Sequence, residues 1–309
     1  MSEHQKLVEV TRNEIVESEH FGSVVLNTRG FGQADALMYP RSTLKLFQAA
    51  SVLSLGVELT SEEIAIAAAS HSAESIHLEV VQGLLKKFKL SVDNLRCTPR
   101  LPLGTEARHD AIRNGIAENT LMSDCSGKHA SFLAACVVNQ WPLENYLEFD
   151  HPLQIAITKN IESWLGITIT RRGVDGCGAP VVAMSLFDLA TGFLNAVREP
   201  GHLGTVASAM SKHPELVGGK KRLATEVMTG VPGAIAKDGA EGVFVVAHRD
   251  LGVLAIKVSD GSTRPHASIV KHVLTNWAVS AEIPISQPLG GGQEVGQIRL
   301  TKDLIDFLG

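Results

Sequence analysis

Several features that would assign a chain to a broad class are scarce or missing in this sequence. Basic residues do not exceed acidic ones, because 28 Lys and Arg stand against 33 Asp and Glu, for a formal net charge of -5. Nucleic-acid-binding proteins usually carry a basic patch, so this balance argues against that class. The apolar runs are broken within about 10 residues, which is too short to cross a bilayer. We therefore expect neither nucleic acid nor membrane among the partners.

The sequence also lacks a recognisable export signal and is poor in cysteine. The first 20 residues mix both charges and contain no apolar core of the kind that a signal peptide needs. We expect a soluble, cytoplasmic protein whose four cysteines stay reduced. Packing, metal binding and catalysis then remain as their possible uses.

The sequence does contain β-type patterns at both ends and helical patterns between them. LVEVTRN, GSVVLNTRG and ADALMYP read as strands, and residues 242–261 read as a hairpin that turns near Asp250. From Ser42 to about residue 230 the apolar residues follow helical spacing, including the stretch PVVAMSLFDLATGFL. Thr60 and Glu63 have the spacing of a helical capping box.

These patterns predict an α+β fold in a single domain, 1–309, with two lobes. One antiparallel sheet would combine N- and C-terminal strands, flanked by helices and interrupted by a helical middle region. The sheet lobe would include about residues 1–60 and 230–309, and the helical lobe about residues 61–229.

The first candidate site is the pair Ser42 and Lys45 in RSTLK. If a helix begins near Arg41, residues three apart share a face, so the amine can reach the hydroxyl. A lysine acts as a base only if burial or nearby cations lower its pKa. The spacing alone is weak evidence, because Ser268 and Lys271 repeat it. A helix-capping serine beside a surface lysine is the alternative interpretation.

Two further stretches hold side chains with chemical potential. ASHSAESIH includes Ser70 and His71, although Ser72 or Ser75 in the same stretch could simply cap the next helix. Lys257 interrupts an apolar strand, where a lysine usually faces solvent. A buried lysine at that position would be functional.

Two further sequence blocks contain cysteines that are candidate site residues. Cys125 and Lys128 lie three apart, followed by His129, and Asp175 and Cys177 lie on a Gly-rich loop. Cys125 and Cys177 are 52 positions apart, which is outside the familiar paired spacing of zinc sites. Two buried apolar cysteines are the alternative to a metal site.

Taken together, RSTLK, ASHSAE, CSGKHA, DGCGAP and AIKVSDG resemble the asparaginases of the Rhizobium etli type, also called the asparaginase II or thermolabile asparaginase family. HPLQ and KHPELVGG match as well, and the resemblance covers about residue 8 to residue 300. It implies a fold similar to serine β-lactamases and penicillin-binding proteins. It also implies a homodimer that hydrolyses L-asparagine to L-aspartate and ammonia. The chain has no Lys-Thr-Gly triplet, which argues against penicillin chemistry.

The resemblance assigns roles to residues of this sequence. It implies two serine–lysine pairs, Ser42 with Lys45 and Ser70 with Lys257, of which Ser42 would be acylated. Two lysines held close together would lower each other's pKa, since each disfavours the charged form of the other. The alternatives are a glutaminase or another small-amide hydrolase on the same scaffold, and a non-catalytic zinc-binding relative.

The resemblance also implies a zinc ion bound by two cysteines and a lysine, which correspond to Cys125, Cys177 and Lys128. We expect this zinc to shape the pocket and not to activate water. For the zwitterionic substrate we predict Arg41 as the partner of the carboxylate. Asp175 is the predicted partner of the ammonium group, and His129 is a further pocket residue.

Overall fold

The computed structural model describes residues 4–309. Its strands are β1 (Gln5–Arg12), β2 (Ile15–Leu26), β3 (Arg29–Phe31), β4 (Arg172–Val174), β5 (Pro180–Val182), β6 (Ile235–Gly239), β7 (Val243–His248), β8 (Gly252–Val258), β9 (Leu289–Gly290), β10 (Gln293–Glu294) and β11 (Ile298–Leu300). Its helices are α1 (Lys45–Ser54), α2 (Ser61–Ala67), α3 (Ser75–Lys87), α4 (Thr105–Arg113), α5 (Ser126–Val138), α6 (Pro152–Leu165), α7 (Leu186–Arg198), α8 (His202–Lys212), α9 (Pro214–Val217), α10 (Leu223–Gly230), α11 (His266–Asn276) and α12 (Lys302–Leu308). Short 3-10 helices occupy Arg41–Leu44 and Val92–Asn94.

The described chain divides into two compact units. Unit 1 comprises residues 4–43, 184–194 and 226–309, and unit 2 comprises residues 44–183 and 195–225. Within residues 4–309, no helix combines the length and apolar character that a membrane crossing requires.

Unit 1 is built on an antiparallel sheet. Among the described residues this sheet has seven strands in the order β11-β1-β2-β8-β7-β6, with β3 paired to β2. The N-terminal strand β2 lies directly beside the C-terminal strand β8, with Val24 opposite Ile256. Both side chains are fully buried, so their packing helps to hold the register. The predicted α+β class, with one sheet made from both ends of the chain, is confirmed.

The predicted hairpin is formed by β7 and β8, with His248 opposite Gly252 across the turn. Gly252 has a φ of +113°, and a Cβ there would collide with the amide of Asn27. Asn27 instead accepts a hydrogen bond from the Val253 N–H at 3.0 Å. The same hairpin places Lys257 opposite Val243.

Unit 2 is mainly helical, and α5 is its most buried helix, with Ser126 to Cys136 all buried. Gly127 permits this packing, because a Cβ there would lie 2.3 Å from the backbone oxygen of Ile66 in α2. Helix α2 begins with the predicted capping box. Thr60 Oγ1 accepts from the Glu63 N–H, and Glu63 accepts from the Thr60 N–H.

The unit boundaries differ from the predicted lobes in two segments. Helix α1 belongs to unit 2, because its neighbours include α5, α6 and α8. Residues 184–194 belong to unit 1, where Met184 forms a β-bridge with Met38 and the Leu186 N–H donates to Ala34 O.

Two local predictions were wrong. ADALMYP is not a strand and contributes only the isolated bridge residue Met38. PVVAMSLFDLATGFL is not one helix, since its first three residues form β5 before α7 begins. A side-chain cap starts α7, in which Ser185 Oγ accepts from the Asp188 N–H and Asp188 accepts from the Ser185 N–H, each at 3.0 Å.

Candidate active site

Ser42 lies in the 3-10 helix Arg41–Leu44, which continues directly into α1. It is half-buried. The preceding residue, Arg41, has a φ of +53°, a left-handed conformation that costs free energy in a residue other than glycine. The turn is held by Thr43, whose N–H and hydroxyl both donate to Pro40 O. A strained backbone of this kind, directly before a predicted nucleophile, is a feature found at functional sites.

Lys45 is the first residue of α1 and is only 1% exposed. Its Nζ donates to Ala69 O at 2.5 Å and to Ser70 Oγ at 3.0 Å. A longer contact of 3.4 Å joins Nζ to the backbone oxygen of Asp124. The alternative interpretation of a surface lysine is therefore excluded. Lys45 is held against the Ser70 hydroxyl, the geometry that a general base requires.

The segment that carries Ser70 is held in place by backbone hydrogen bonds inside unit 2. The Ser70 N–H donates to Val217 O at 2.9 Å, and the His71 N–H donates to Asp124 O at 3.2 Å. The Ser72 hydroxyl donates to Gly218 O at 2.8 Å. Neither Ser72 nor Ser75 caps α3, as the alternative interpretation had it, because Glu74 occupies the N-cap position.

His71 is fully buried and uncharged. Its Nδ1 accepts from the Ala73 N–H at 3.1 Å, so the proton is on Nε2, which donates to Ser126 Oγ at 2.9 Å. Burial, followed by the nearby His77 and Lys45, lowers the pKa of His71 well below its usual value. This imidazole connects the Ser70 segment to the first residue of α5.

Lys257 and Arg41 lie in unit 1. Lys257 is half-buried, and its Nζ donates to Glu241 O and, at 2.8 Å, to Val258 O. Burial lowers the pKa of Lys257, and the nearby Arg41 adds to this effect. The nearby Glu241 and Asp260 oppose it. Arg41 Nη1 lies 3.7 Å from the exposed carboxylate of Glu241.

Cys125, Lys128 and Cys177 form a buried cluster, called here the thiol cluster. Lys128 Nζ donates to Cys177 Sγ at 3.0 Å, and the two thiols are hydrogen-bonded to each other. The Cys125 hydrogen bond lowers the pKa of Cys177 and outweighs the effect of burial, with a further contribution from Lys128. Burial lowers the pKa of Lys128, but Cys177 and Cys125 more than compensate, so the ammonium form is favoured.

The donor chemistry of the thiol cluster fits zinc. Among residues 4–309, no group of three or more His, Cys, Asp or Glu side chains is placed to hold a metal ion. The cluster nevertheless gathers two thiols and one amine, and sulfur and nitrogen are the atoms that zinc prefers. Lys128 would have to lose its proton before it could bind the metal.

His129 and Asp175 both lie beside this cluster. Tyr146 OH accepts from the Arg96 N–H and is hydrogen-bonded to His129 Nδ1 at 2.7 Å. Burial lowers the pKa of His129, and the nearby Cys177 opposes that effect. Asp175 Oδ1 accepts from the Gly176 N–H at 2.8 Å, and its negative charge helps to raise the pKa of Lys128.

The structure adds Asp124 and Arg100, which sequence reasoning missed. Asp124 Oδ2 lies 4.0 Å from Lys45 Nζ, and Asp124 Oδ1 lies 3.9 Å from Arg100 Nε. The available signal was weak, namely an acidic residue directly before CSGKH. Of the predicted residues, unit 1 contains Arg41, Ser42 and Lys257, and unit 2 contains Lys45, Ser70, Cys125, Lys128, His129, Asp175 and Cys177.

Lys45 lies at the Ser70 hydroxyl, and Lys257 lies on the buried strand β8. The chain that carries these lysines can be compared with known protein families. A family model described as L-asparaginase II matches residues 8–299, nearly the whole chain. This match makes the protein an amidohydrolase of the L-asparaginase type. The chain belongs to the L-asparaginase II family, as the sequence blocks predicted.

Two solved structures can be aligned with this one. A candidate β-lactamase from Bacteroides dorei shares 14% identity, covers 86% of this chain and 92% of its own, and has a TM-score of 0.40. A β-lactamase from Mycobacterium bovis shares 10% identity over 89% of this chain and 96% of its own, with a TM-score of 0.37. A comparison with curated protein sequences gives no significant match.

Proposed function

We propose that this protein hydrolyses L-asparagine to L-aspartate and ammonia through an acyl-enzyme intermediate on a serine. The observation that carries the proposal is Lys45, a fully buried lysine 3.0 Å from the Ser70 hydroxyl in a member of an amidohydrolase family. Burying an amine costs free energy unless it is hydrogen-bonded, as Lys45 is to Ser70. An amine held at a serine hydroxyl in this way can act as a general base.

In the proposed reaction, Ser42 is the nucleophile and Lys45 is its base. The Ser42 hydroxyl gives its proton to neutral Lys45, and its oxygen bonds to the side-chain amide carbon of asparagine. Backbone N–H groups, including that of Ser42, stabilise the tetrahedral oxyanion. The carbon–nitrogen bond then breaks, and the leaving nitrogen takes a proton and departs as ammonia. Water hydrolyses the β-aspartyl ester and restores the Ser42 hydroxyl.

Ser70 and Lys257 are proposed to relay the proton to the leaving group. The hydrogen bond between Lys45 and Ser70 supports a path from the base to the second serine. The lowered pKa of Lys257 supports a lysine that exchanges protons more readily than an exposed one.

Substrate binding is proposed to use Arg41 for the α-carboxylate, Asp175 for the ammonium group and His129 as a pocket residue. Arg41 has a left-handed backbone with a φ of +53° directly before Ser42. The guanidinium group offers a fork of donors that suits a carboxylate.

Zinc at Cys125, Cys177 and Lys128 is proposed as a structural cofactor. When bound, it would supply a cross-link between the start of α5 and the loop that carries Cys177, without activating water. The family resemblance also supports a homodimer.

The test is ammonia release from L-Asn, L-Gln and D-Asn by wild type, Ser42→Ala and Ser268→Ala. Ser268 is a matched control, because it has the same spacing to a lysine, Lys271, in α11. We expect wild type to prefer L-Asn, Ser42→Ala to lose about 1,000-fold or more in kcat, and Ser268→Ala to stay within a few fold. Equal activity of wild type and Ser42→Ala would exclude Ser42 as the nucleophile. A preference for L-Gln would assign a glutaminase instead.

A further inference from the structure

We propose that His71 is a positioning residue for the contact between Lys45 and Ser70. Its buried imidazole holds two segments together, residues 69–71 and residues 124–126, and the Lys45 amine contacts both of them. This inference rests on the proposed function, in which Lys45 is a base and Ser70 relays protons. All of these residues belong to unit 2. His71 acts through its neighbours, without contact to the substrate.

The position of the Lys45 amine depends on both segments. In residues 69–71 it donates to Ala69 O at 2.5 Å and to Ser70 Oγ at 3.0 Å. In residues 124–126 it has the longer contact of 3.4 Å with Asp124 O. A change in the spacing of the two segments therefore alters the distance from the amine to the Ser70 hydroxyl. A displacement of about 1 Å between reacting groups can lower a rate about 100-fold.

His71 joins the two segments at two points. Its main-chain N–H donates to Asp124 O at 3.2 Å, and its side-chain Nε2 donates to Ser126 Oγ at 2.9 Å. Asp124 O thus accepts from both His71 and Lys45. A single hydrogen bond allows rotation about its axis, and the second bond, two residues further along the chain, restricts that rotation.

The imidazole of His71 is fixed in one tautomer and one orientation. Its Nδ1 accepts from the Ala73 N–H at 3.1 Å, so the proton lies on Nε2 and points to Ser126. Ala73 has a φ of +56°, a left-handed conformation that this hydrogen bond helps to hold. The ring also stacks on His77, with the ring centroids 5.2 Å apart. Burial, His77 and Lys45 lower the pKa of His71, which keeps the neutral form that can accept from Ala73.

His151 repeats the local pattern of His71 in a structural role. Its Nδ1 accepts from the Leu153 N–H, also two residues further along the chain, at 3.2 Å. Its Nε2 donates to Pro142 O at 3.0 Å, and the residue is buried. These bonds define the start of α6, where His151 is the N-cap. The two histidines are alike in burial and local bonding but hold different segments, which makes His151 a matched control.

Two substitutions of His71 separate its two ring nitrogens. The Gln amide nitrogen replaces Nε2, so His71→Gln can still donate to Ser126. The Asn oxygen replaces Nδ1, so His71→Asn keeps only the bond to Ala73. We expect His71→Asn to lower kcat for L-asparagine about 100-fold with KM within about threefold, because positioning and not substrate binding is lost. His71→Gln should retain kcat within about fivefold. His151→Asn should lower the melting temperature about as much as His71→Asn and keep kcat within about twofold.

Ser126→Ala removes the acceptor of the same hydrogen bond with a smaller change in shape. We expect it to lower kcat as His71→Asn does, and the double variant His71→Asn/Ser126→Ala to lose no more than either single variant. The inference is overturned if the two losses add, or if His71→Gln is as impaired as His71→Asn. Retained kcat with a raised KM in His71→Asn would overturn it as well.

Failure of the proposed function itself would look different, because wild type would then release no ammonia from L-asparagine. Crystal structures of His71→Asn and Ser126→Ala test the inference without turnover. In both, the distance between Lys45 Nζ and Ser70 Oγ is expected to increase from 3.0 Å to more than about 3.5 Å, beyond a hydrogen bond. An unchanged distance would contradict the role of His71.

Discussion

At the scale of single residues, burial decides what the charged side chains can do. Lys45 is enclosed by backbone oxygens and one serine hydroxyl, whereas Lys257 lies half-buried on β8 beside Val258. Lys128 is buried with Cys177, whose thiolate stabilises the ammonium form. Three lysines of one chain therefore have three different environments, and each environment suits a different role.

A prediction at this scale concerns buried histidines and acid stability. Burial lowers the pKa of His266 to about 4, although its hydrogen bond to Gly242 O opposes the shift. Because the folded pKa lies below the unfolded value near 6.5, the unfolded state binds the proton first as pH falls. Stability is therefore complete above about pH 6.5 and is lost down to about pH 4, by about 3 kcal/mol for this group.

Urea unfolding of His266→Gln at pH 7 and pH 4.5 tests this prediction. Gln can still donate to Gly242 O but does not titrate, so the variant should lose less unfolding free energy between the two pH values than wild type. His202→Gln, on an exposed histidine at the start of α8, should keep the wild-type pH dependence. An identical pH dependence in wild type and His266→Gln would contradict the argument.

Some of the site could be read from the sequence, and some could not. Ser42, Lys45 and the cysteine blocks belong to short sequence blocks that carry a family pattern. Asp124 could not be found in that way, since its contact with Lys45 joins residues that are 79 positions apart. Local sequence contains no information about such a contact.

At the scale of elements, α5 determines how the thiol cluster is placed. Cys125 is its N-cap, Lys128 lies in its first turn, and Gly127 between them contacts α2. The close approach at Gly127 fixes the depth at which both cluster residues are held. A small residue is therefore required inside an otherwise ordinary helix.

Gly127→Ala is expected to destabilise the protein by about 1–3 kcal/mol, because its Cβ would lie 2.3 Å from Ile66 O. Thermal or urea unfolding measures the change. Gly83→Ala in α3 is the matched control, since no atom lies within 4 Å of the added Cβ. That substitution should stabilise the protein by up to about 1 kcal/mol. The argument fails if the two variants have the same stability.

Elements with local signals were predictable, but composition alone did not show which strand-like segments would find a partner. The α2 capping box was predictable because Thr60 and Glu63 are three residues apart and satisfy each other. ADALMYP has strand-like residues, but only Met38 finds a partner, at Met184. Strand formation depends on such pairing, which the sequence of one segment does not reveal.

At the scale of the whole molecule, both ends of the chain form one sheet and the middle forms a helical unit. The zinc proposal concerns unit 2, where the metal would join segments that are 52 positions apart. Cross-links over long loops stabilise a fold by restricting the unfolded chain. We therefore expect the proposed zinc to affect the stability of the fold and the shape of the pocket.

Zinc removal by a chelator is expected to lower the melting temperature and raise KM for L-asparagine while kcat is largely retained. Zinc affinity should weaken as pH falls, because the cysteines and Lys128 must lose protons to bind it. Metal analysis and kinetics on the same samples check this, and added zinc should reverse the change. If kcat disappears while KM and melting temperature stay constant, zinc takes part in the chemistry.

The central claim is that Ser42 carries the acyl group, and mass spectrometry after rapid acid quenching tests it most directly. Wild type mixed with L-asparagine should show an aspartyl adduct on the peptide that contains Ser42, and Ser42→Ala should show none. An adduct on the Ser70 peptide with Ser42 unmodified would contradict the account.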